Sequence, residues 1–156
     1  MSFSVTILGS SSAVPTKDRN QTCQLLTHSD CDYLIDAGEG VQKQLLINKA
    51  RWSKLRAVFI SHLHPDHYIG LIGLVCSLGL RGRTNKLVVV APLGLEEIIN
   101  IQLKNGDVHL GFELEFITTN ADSELIYSDQ KISVSTVKLI HRIECYGYVF
   151  TELPKP

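Results

Sequence analysis

Between Ile60 and Gly70 the chain reads Ile-Ser-His-Leu-His-Pro-Asp-His-Tyr-Ile-Gly, which puts His62, His64, Asp66 and His67 within six residues. His62 and His64 stand two apart in an extended segment and can point to the same side. Asp66 and His67 follow Pro65, where a turn enters a helix, and Asp66 also suits a helix-capping role. Imidazole and carboxylate are ligands that suit zinc and that also accept manganese or iron. A catalytic zinc takes about three protein ligands and leaves one position for water, whose pKa then falls to about 7. Three of the six histidines packed beside one aspartate point to such a metal site rather than to ordinary surface or core residues.

The elements that must position this loop are legible as a pattern. Arg56-Ala57-Val58-Phe59-Ile60-Ser61 ends a strand over Leu55 to Ile60, apolar enough to be buried on both faces, and this strand delivers the loop. Tyr68 to Leu80 is the helix that follows, with Gly70, Gly73 and Gly79 suggesting close packing against a sheet. Upstream, Phe3 to Leu8 alternates as a strand ending at Gly9, before a small-residue loop from Ser10 to Pro15 that lacks the Gly-Lys-Ser/Thr ending of a nucleotide-phosphate loop. Pro15 to Asn20 reads on composition alone as a solvated connector. Thr22 to Thr27 and Asp32 to Asp36 form a hairpin across His28-Ser29-Asp30, with His28 as a turn residue. Asp36 ends a strand where a helix with Val41, Leu45 and Leu46 begins; it either caps locally or orients a ligand histidine from behind.

Downstream, Arg81-Gly82-Arg83-Thr84-Asn85-Lys86 places three cations at a helix end, where they offset the negative pole of the macrodipole or form a phosphate-contacting edge. Leu87 to Val90 is a strand, and Pro92 to Asn105 a helix begun by proline and closed by Gly106. From Phe112 the pattern turns to strands: Phe112 to Ile117, Glu124 to Tyr127, Lys131 to Val137 and Tyr146 to Phe150. His109 lies in an irregular stretch and has no assigned role. His141 ends the long strand and is the candidate third ligand, because two histidines from one loop need a partner from elsewhere in the fold.

With 156 residues and 44% apolar side chains, the chain is long enough for one α/β domain with its own core. The formal charge of −1 argues against a generally basic nucleic-acid binder but leaves local patches open. Cys23, Cys31, Cys76 and Cys145 show none of the tight spacings of a zinc ribbon or disulfide framework, so free thiols in a reducing cytoplasm are expected. No basic-then-apolar leader opens the chain, and no apolar run is long enough to span a bilayer.

Four segments together resemble ribonuclease Z, the metallo-β-lactamase-fold endonuclease that trims the 3′ end of precursor tRNA: Leu8 to Asn20, Leu34 to Leu45, Phe59 to Gly73 and Leu139 to Phe150. The resemblance spans almost the whole chain in the family's order. It implies an αββα sandwich of which residues 1–156 supply the N-terminal half, as one mixed sheet plus helices. His62, His64 and His141 would hold one zinc, and Asp66 and His67 would contribute to a second. Asp66 would also handle the proton of the attacking water, and Asp36 would lie behind the ligands. Pro15, Lys17, Arg19 and Asn20 would lie near the RNA 3′ end, reversing the connector reading.

In the family, a metal-bridging aspartate, a further histidine ligand, a histidine–glutamate pair and an RNA-clasping arm belong to a C-terminal half, which this chain lacks. The expectation is therefore one well-held zinc, a weak second site, poor phosphodiesterase activity of the chain alone, and an exposed apolar face that favours a homodimer or other self-association. The alternatives are a non-catalytic zinc-binding or partner-completed half-domain, and a related hydrolase of small phosphodiesters or sulfate esters.

Overall fold

The computed structural model describes residues 3–154. Six strands form a mixed sheet in the order β1 (Phe3–Gly9), β2 (Cys23–His28), β3 (Cys31–Ile35), β4 (Leu55–Phe59), β5 (Leu87–Pro92) and β6 (Leu114–Thr119). The first three pair antiparallel, β1 with β2 across the loop over residues 10–22 and β2 with β3 across a tight turn, while β3 to β6 run parallel. Parallel neighbours need crossovers, and these are helical: α1 (Val41–Ile47) between β3 and β4, α2 (Pro65–Tyr68) with α3 (Gly70–Leu80) between β4 and β5, and α4 (Leu95–Asn105) between β5 and β6. A second, antiparallel sheet of β7 (Leu125–Ser128), β8 (Ile132–Lys138) and β9 (Tyr146–Glu152) completes the described fold.

From Ala57 onward, past the register shift that follows Leu55, the side chains of β4 alternate between two cores. Leu55 and Val58 join Leu34, Leu71, Leu74, Val75, Val89 and Ile99 between the mixed sheet and its helices. Ala57 and Phe59 join Tyr33, Val88, Val90, Ile132 and Val134 between the two sheets. Phe59 is the centre of the second core, with the rings of Tyr127, Tyr148 and Phe150 at centroid distances of 5.5, 5.2 and 5.0 Å. Aromatic pairs at such separations contribute about 0.5–1.5 kcal/mol each beyond the area they bury.

The mixed sheet and its helices agree with the sequence reading, and the corrections are local. The expected single sheet is accompanied by a second one, so the inner face of the mixed sheet is covered over β2 to β5. The strand at Phe112 to Ile117 begins at Leu114 and joins β5 in parallel, because α4 carries the chain back across the sheet. Pro92 ends β5 rather than opening α4, whose N-cap is Gly94 with φ 107°. His28 is no turn residue: it closes β2, is buried, and lies 3.4 Å from Glu152 through Nε2. The glycines of α3 face a loop and a helix rather than a sheet, Gly70 against Gly38 and Gly73 against Gln42.

Candidate metal centre

The loop leaves β4 at its carboxyl end, and three neighbours tie it down. Ile60 N–H donates to the Val90 carbonyl, Ser61 N–H to Asp36 Oδ1 at 2.8 Å, and Tyr146 N–H to the Ser61 carbonyl. The Tyr148 hydroxyl adds a 2.7 Å bond to the Ile60 carbonyl, so β9 clips the loop from the second sheet. Pro65 then starts α2 with Asp66 in its first turn, as its fixed φ and missing N–H favour.

His141 lies three residues beyond the end of β8, in the exposed connection to β9 rather than in a strand. Leu139 N–H bonds to the Cys145 carbonyl and tightens this connection, while Cys145 bridges to His62. The result is a convergence of three imidazoles: His62 Nε2 is 3.0 Å from His64 Nδ1, which is 3.2 Å from His141 Nε2. One ligand atom from each lies within 4.8 Å of the others. Nitrogens around a tetrahedral zinc with bonds of about 2.05 Å stand about 3.3 Å apart, so this donor set fits a metal ion.

The ring on the other side is arranged differently. His67 presents Nδ1 to Asp36 Oδ2 at 2.7 Å and Nε2 to Asp66 Oδ2 at 3.5 Å. Asp66 is buried, and its carboxylate and the outer nitrogen of His67 form a second, two-residue donor pair beside His62, whose ring centroid is 3.9 Å from that of His67.

Asp36 stands behind both groups. It has φ 57°, a left-handed conformation that aspartate tolerates better than most residues, at a cost of about 1–3 kcal/mol. Its N–H bonds to the Phe59 carbonyl, and its carboxylate accepts from Ser61 N–H, from the Ser61 hydroxyl at 3.0 Å and from His67. With its proton given to Asp36, Ser61 Oγ is an acceptor for His62 Nδ1–H, 3.0 Å away. Both inner nitrogens are thus protonated, and in the neutral rings the outer Nε2 atoms of His62 and His67 keep their lone pairs for a ligand.

Electrostatics favour the neutral imidazole at His62 and His64, and the protonated ring at His67, whose Nε2 must lose a proton before it can bind a metal. Burial, and then the neighbouring His67, His141 and His64, push the His62 pKa down to about 4. Burial also lowers that of His64, followed by the charges of Arg142 and His141. For His67 burial acts downward, but the hydrogen bond and charge of Asp36 outweigh it and raise the pKa.

The loop bearing Pro15, Lys17, Arg19 and Asn20 is exposed except at Asn20, which packs against Gly40. Among the described residues, no side-chain hydrogen bond or ion pair joins Lys17 or Arg19 to the histidines. Gln21, which the sequence reading passed over, fixes that loop: it is buried, donates to the Ala13 carbonyl at 2.9 Å and accepts Glu39 N–H at 2.8 Å. Ser61, Arg142 and Cys145 were also missed. Arg142 places Nε and Nη2 3.4 and 3.3 Å from His64 Nε2, and Cys145 Sγ is 3.7 Å from His62 Nδ1. Adjacency to ligand candidates in sequence was the available signal for Ser61 and Arg142.

Comparison with known proteins places this geometry. The family model described as anti-Pycsar protein Apyc1 matches residues 3–152. A protein named ribonuclease Z from Bacteroides fragilis is 39% identical over 155 residues, 99% of this chain and 51% of that protein. The crystal structure of the short form of human tRNase Z superposes with a TM-score of 0.85 at 28% identity, covering 95% of this chain and 63% of that one. A metallo-β-lactamase fold protein of Bacillus subtilis, YhfI, superposes at 0.72 with 22% identity over 94% of this chain and 56% of that one. The resemblance to ribonuclease Z is borne out, and the chain spans about half the length of the curated relatives it matches. The chain therefore belongs to the family described as anti-Pycsar protein Apyc1 and carries the metallo-β-lactamase fold that its relatives share.

Proposed function

We propose that this chain is the N-terminal half of a zinc-dependent phosphodiesterase of the ribonuclease Z kind, acting on the 3′ trailer of precursor tRNA. The observation that carries the reading is the convergence of three imidazole nitrogens at 3.0 and 3.2 Å in a sequence about 40% identical to ribonuclease Z over 99% of its length. His62 Nε2, His64 Nδ1 and His141 Nε2 would hold one metal ion, with Asp66 and His67 contributing to a second. Bound there, zinc, or manganese or iron in its place, would supply Lewis acidity and an activated water.

The remaining roles belong to the chain itself. Asp66, buried beside the cluster, is the candidate acceptor for the proton of the attacking water. Asp36 orients His67 directly and His62 through Ser61. The exposed loop with Pro15, Lys17, Arg19 and Asn20 is anchored through Gln21 to the 36–40 segment beside the cluster and would receive the RNA 3′ end.

A half-domain is supported by one bare surface. Phe3, Val5 and Ile7 are 42, 55 and 60% exposed, yet by register they share the inner face with Leu26 and His28. Further strands beside β9, from a longer chain or a second copy, would cover them. No helix among the described residues is long and apolar enough to cross a membrane. The four cysteines are free, in keeping with a reducing compartment such as the cytoplasm.

The test is native mass spectrometry after zinc exposure, read together with cleavage of a precursor tRNA transcript by the chain alone and by a full-length relative's C-terminal half added to it. One zinc per chain, lost in His141→Ala, with cleavage that rises on completion, is the expected result. Zinc retained in His141→Ala, or a completed enzyme that leaves the transcript intact, would sink the reading.

A further inference from the structure

At the far end of α3 from the histidines, a cleft of about 440 Å³ opens between the 3₁₀ turn Trp52–Lys54 and the loop after Leu80. The helix separates it from the metal loop by about 16 Å, eleven residues at 1.5 Å each. Arg51, Trp52, Ser53, Arg81, Arg83 and Thr84 are among its lining residues, and no carboxylate among the described residues lines it. In a chain of net charge −1, three guanidinium groups around one cleft without an acidic partner on its wall are a local departure. The comparable cleft beside Arg56 and Lys131 carries Asp30 and Asp129 as counter-charges.

The structural roles of these arginines do not account for all of them. Arg83 is a brace: its Nε and Nη2 donate to the carbonyls of Asn85, Leu55 and Lys86. Arg51 is half-engaged, 3.5 Å from the buried Asp32 and bonded to the Ser29 carbonyl, with its side chain 46% exposed. Arg81 is exposed, forms no ion pair or side-chain hydrogen bond among the described residues, and lies with its guanidinium 5.0 Å over the Trp52 ring.

Capping the helix does not require the Arg81 side chain either. The carbonyls of Ser77, Leu78 and Gly79 are taken by the backbone N–H groups of Arg81, Arg83 and Gly82. Two further donors behind the wall, Trp52 Nε1 and Arg83 Nη1, have no hydrogen-bond partner among the described residues. The helix terminus contributes about half a negative charge and Asp32 offsets Arg51, which leaves the cleft positive and rich in donors.

We propose that this cleft is a second contact for RNA, taking a backbone phosphate on Arg81 and Arg51 at a distance from the metal centre. With its guanidinium held 5.0 Å over Trp52 and no other side-chain partner among the described residues, Arg81 has N–H groups available for two parallel bonds to phosphate oxygens, the geometry at which arginine exceeds lysine. Ser53 and Thr84 add neutral hydroxyls. Such a contact carries no sequence information; it adds affinity and orients a long substrate whose end lies at the histidines. The choice of RNA as the source of the phosphate rests on the function proposed above.

The experiment uses the full chain without metal, so that binding is read apart from cleavage. A fluorescein-labelled precursor tRNA transcript is titrated by anisotropy at several salt concentrations, and the emission of Trp52, the chain's single tryptophan, reports occupancy of the cleft. The expected result is a Trp52 shift on binding, and a log–log salt slope reduced by about one in Arg81→Ala and in Arg51→Gln, with weaker binding at low salt. Unchanged slopes in both variants overturn the proposal. A Trp52 shift with inorganic phosphate but none with the transcript also overturns it, in favour of a free-phosphate site. Cleavage with unchanged slopes would sink this inference alone, and reduced slopes without cleavage by a completed enzyme would sink only the catalytic reading.

Discussion

The Asp36 carboxylate and the Ser61 hydroxyl, 3.0 Å apart, link the two halves of the histidine cluster: Asp36 holds His67 directly and, through Ser61, fixes the tautomer of His62. Removing the charge while keeping the left-handed backbone tests this, since asparagine also tolerates positive φ. Asp36→Asn should lower zinc affinity by about 10- to 100-fold by calorimetry, the range for partners that orient metal ligands. Ser61→Ala should shift the His62 tautomer, seen in imidazole ¹⁵N shifts, while His67 keeps its own. A His62 ring unaffected by Ser61→Ala would show that Cys145 holds it instead.

Arg142 is placed to compete with a metal ion for His64. Its guanidinium donates toward His64 Nε2, which favours a proton on Nδ1, the nitrogen that faces His62 and His141. A ligand at Nδ1 requires the proton on Nε2, so Arg142 must turn away. Arg142→Ala should tighten zinc binding by about 2- to 10-fold, equivalent to one modest hydrogen bond, with the gain shrinking at high salt. Unchanged or weaker binding would mean that the arginine contributes nothing to the competition.

Gly70 sets the spacing between α3 and the Asp36 loop. A Cβ there would lie 2.2 Å from the Gly38 carbonyl oxygen and 2.9 Å from that of Ala37, both backbone atoms with little room to move. Gly70→Ala should destabilise the chain by about 1–3 kcal/mol in urea unfolding and weaken zinc binding, because the displaced loop carries Asp36. The neighbouring Gly73→Ala meets only the end of the Gln42 side chain and should be milder.

Asp129 ties the turn between β7 and β8 to the core between the sheets. Burial acts to raise its pKa, but hydrogen bonds from Tyr33, the N–H groups of Lys131 and Ile132, and Tyr127 outweigh it and hold the carboxyl below its usual value. The folded pKa is depressed, so the stabilisation is fully present above the unfolded value of about 3.9 and is lost as pH falls through the lower folded value. Asp129→Asn should therefore be less stable than the parent at pH 7, by about 1–3 kcal/mol for bonds to a charged acceptor, with the gap closing below pH 4. A gap independent of pH would assign the loss to packing.

The sequence by itself determined the parts governed by local rules. The alternation along Phe3 to Leu8, the continuous apolar run into Ser61, the Pro65-Asp66 helix start and the spacing of His62 and His64 each depend on neighbours a few residues away, and each survived folding. Where a local signal served two outcomes the reading slipped: Pro92 fits a strand end as well as a helix start, and His28 beside Ser29 and Asp30 looked like part of a turn until Glu152 came to lie against it. Tertiary structure alone decided that His141, 77 residues from His64, closes the cluster, because β9 pairs with β8 and clips to the Ile60–Ser61 backbone. It also decided which nitrogens of His62 and His67 stay free, since their protons are set by Asp36 and Ser61, two residues brought together from 25 positions apart. Contacts across such separations depend on how strands pair and layers pack, and that information is distributed over the whole chain rather than written at either end of the contact.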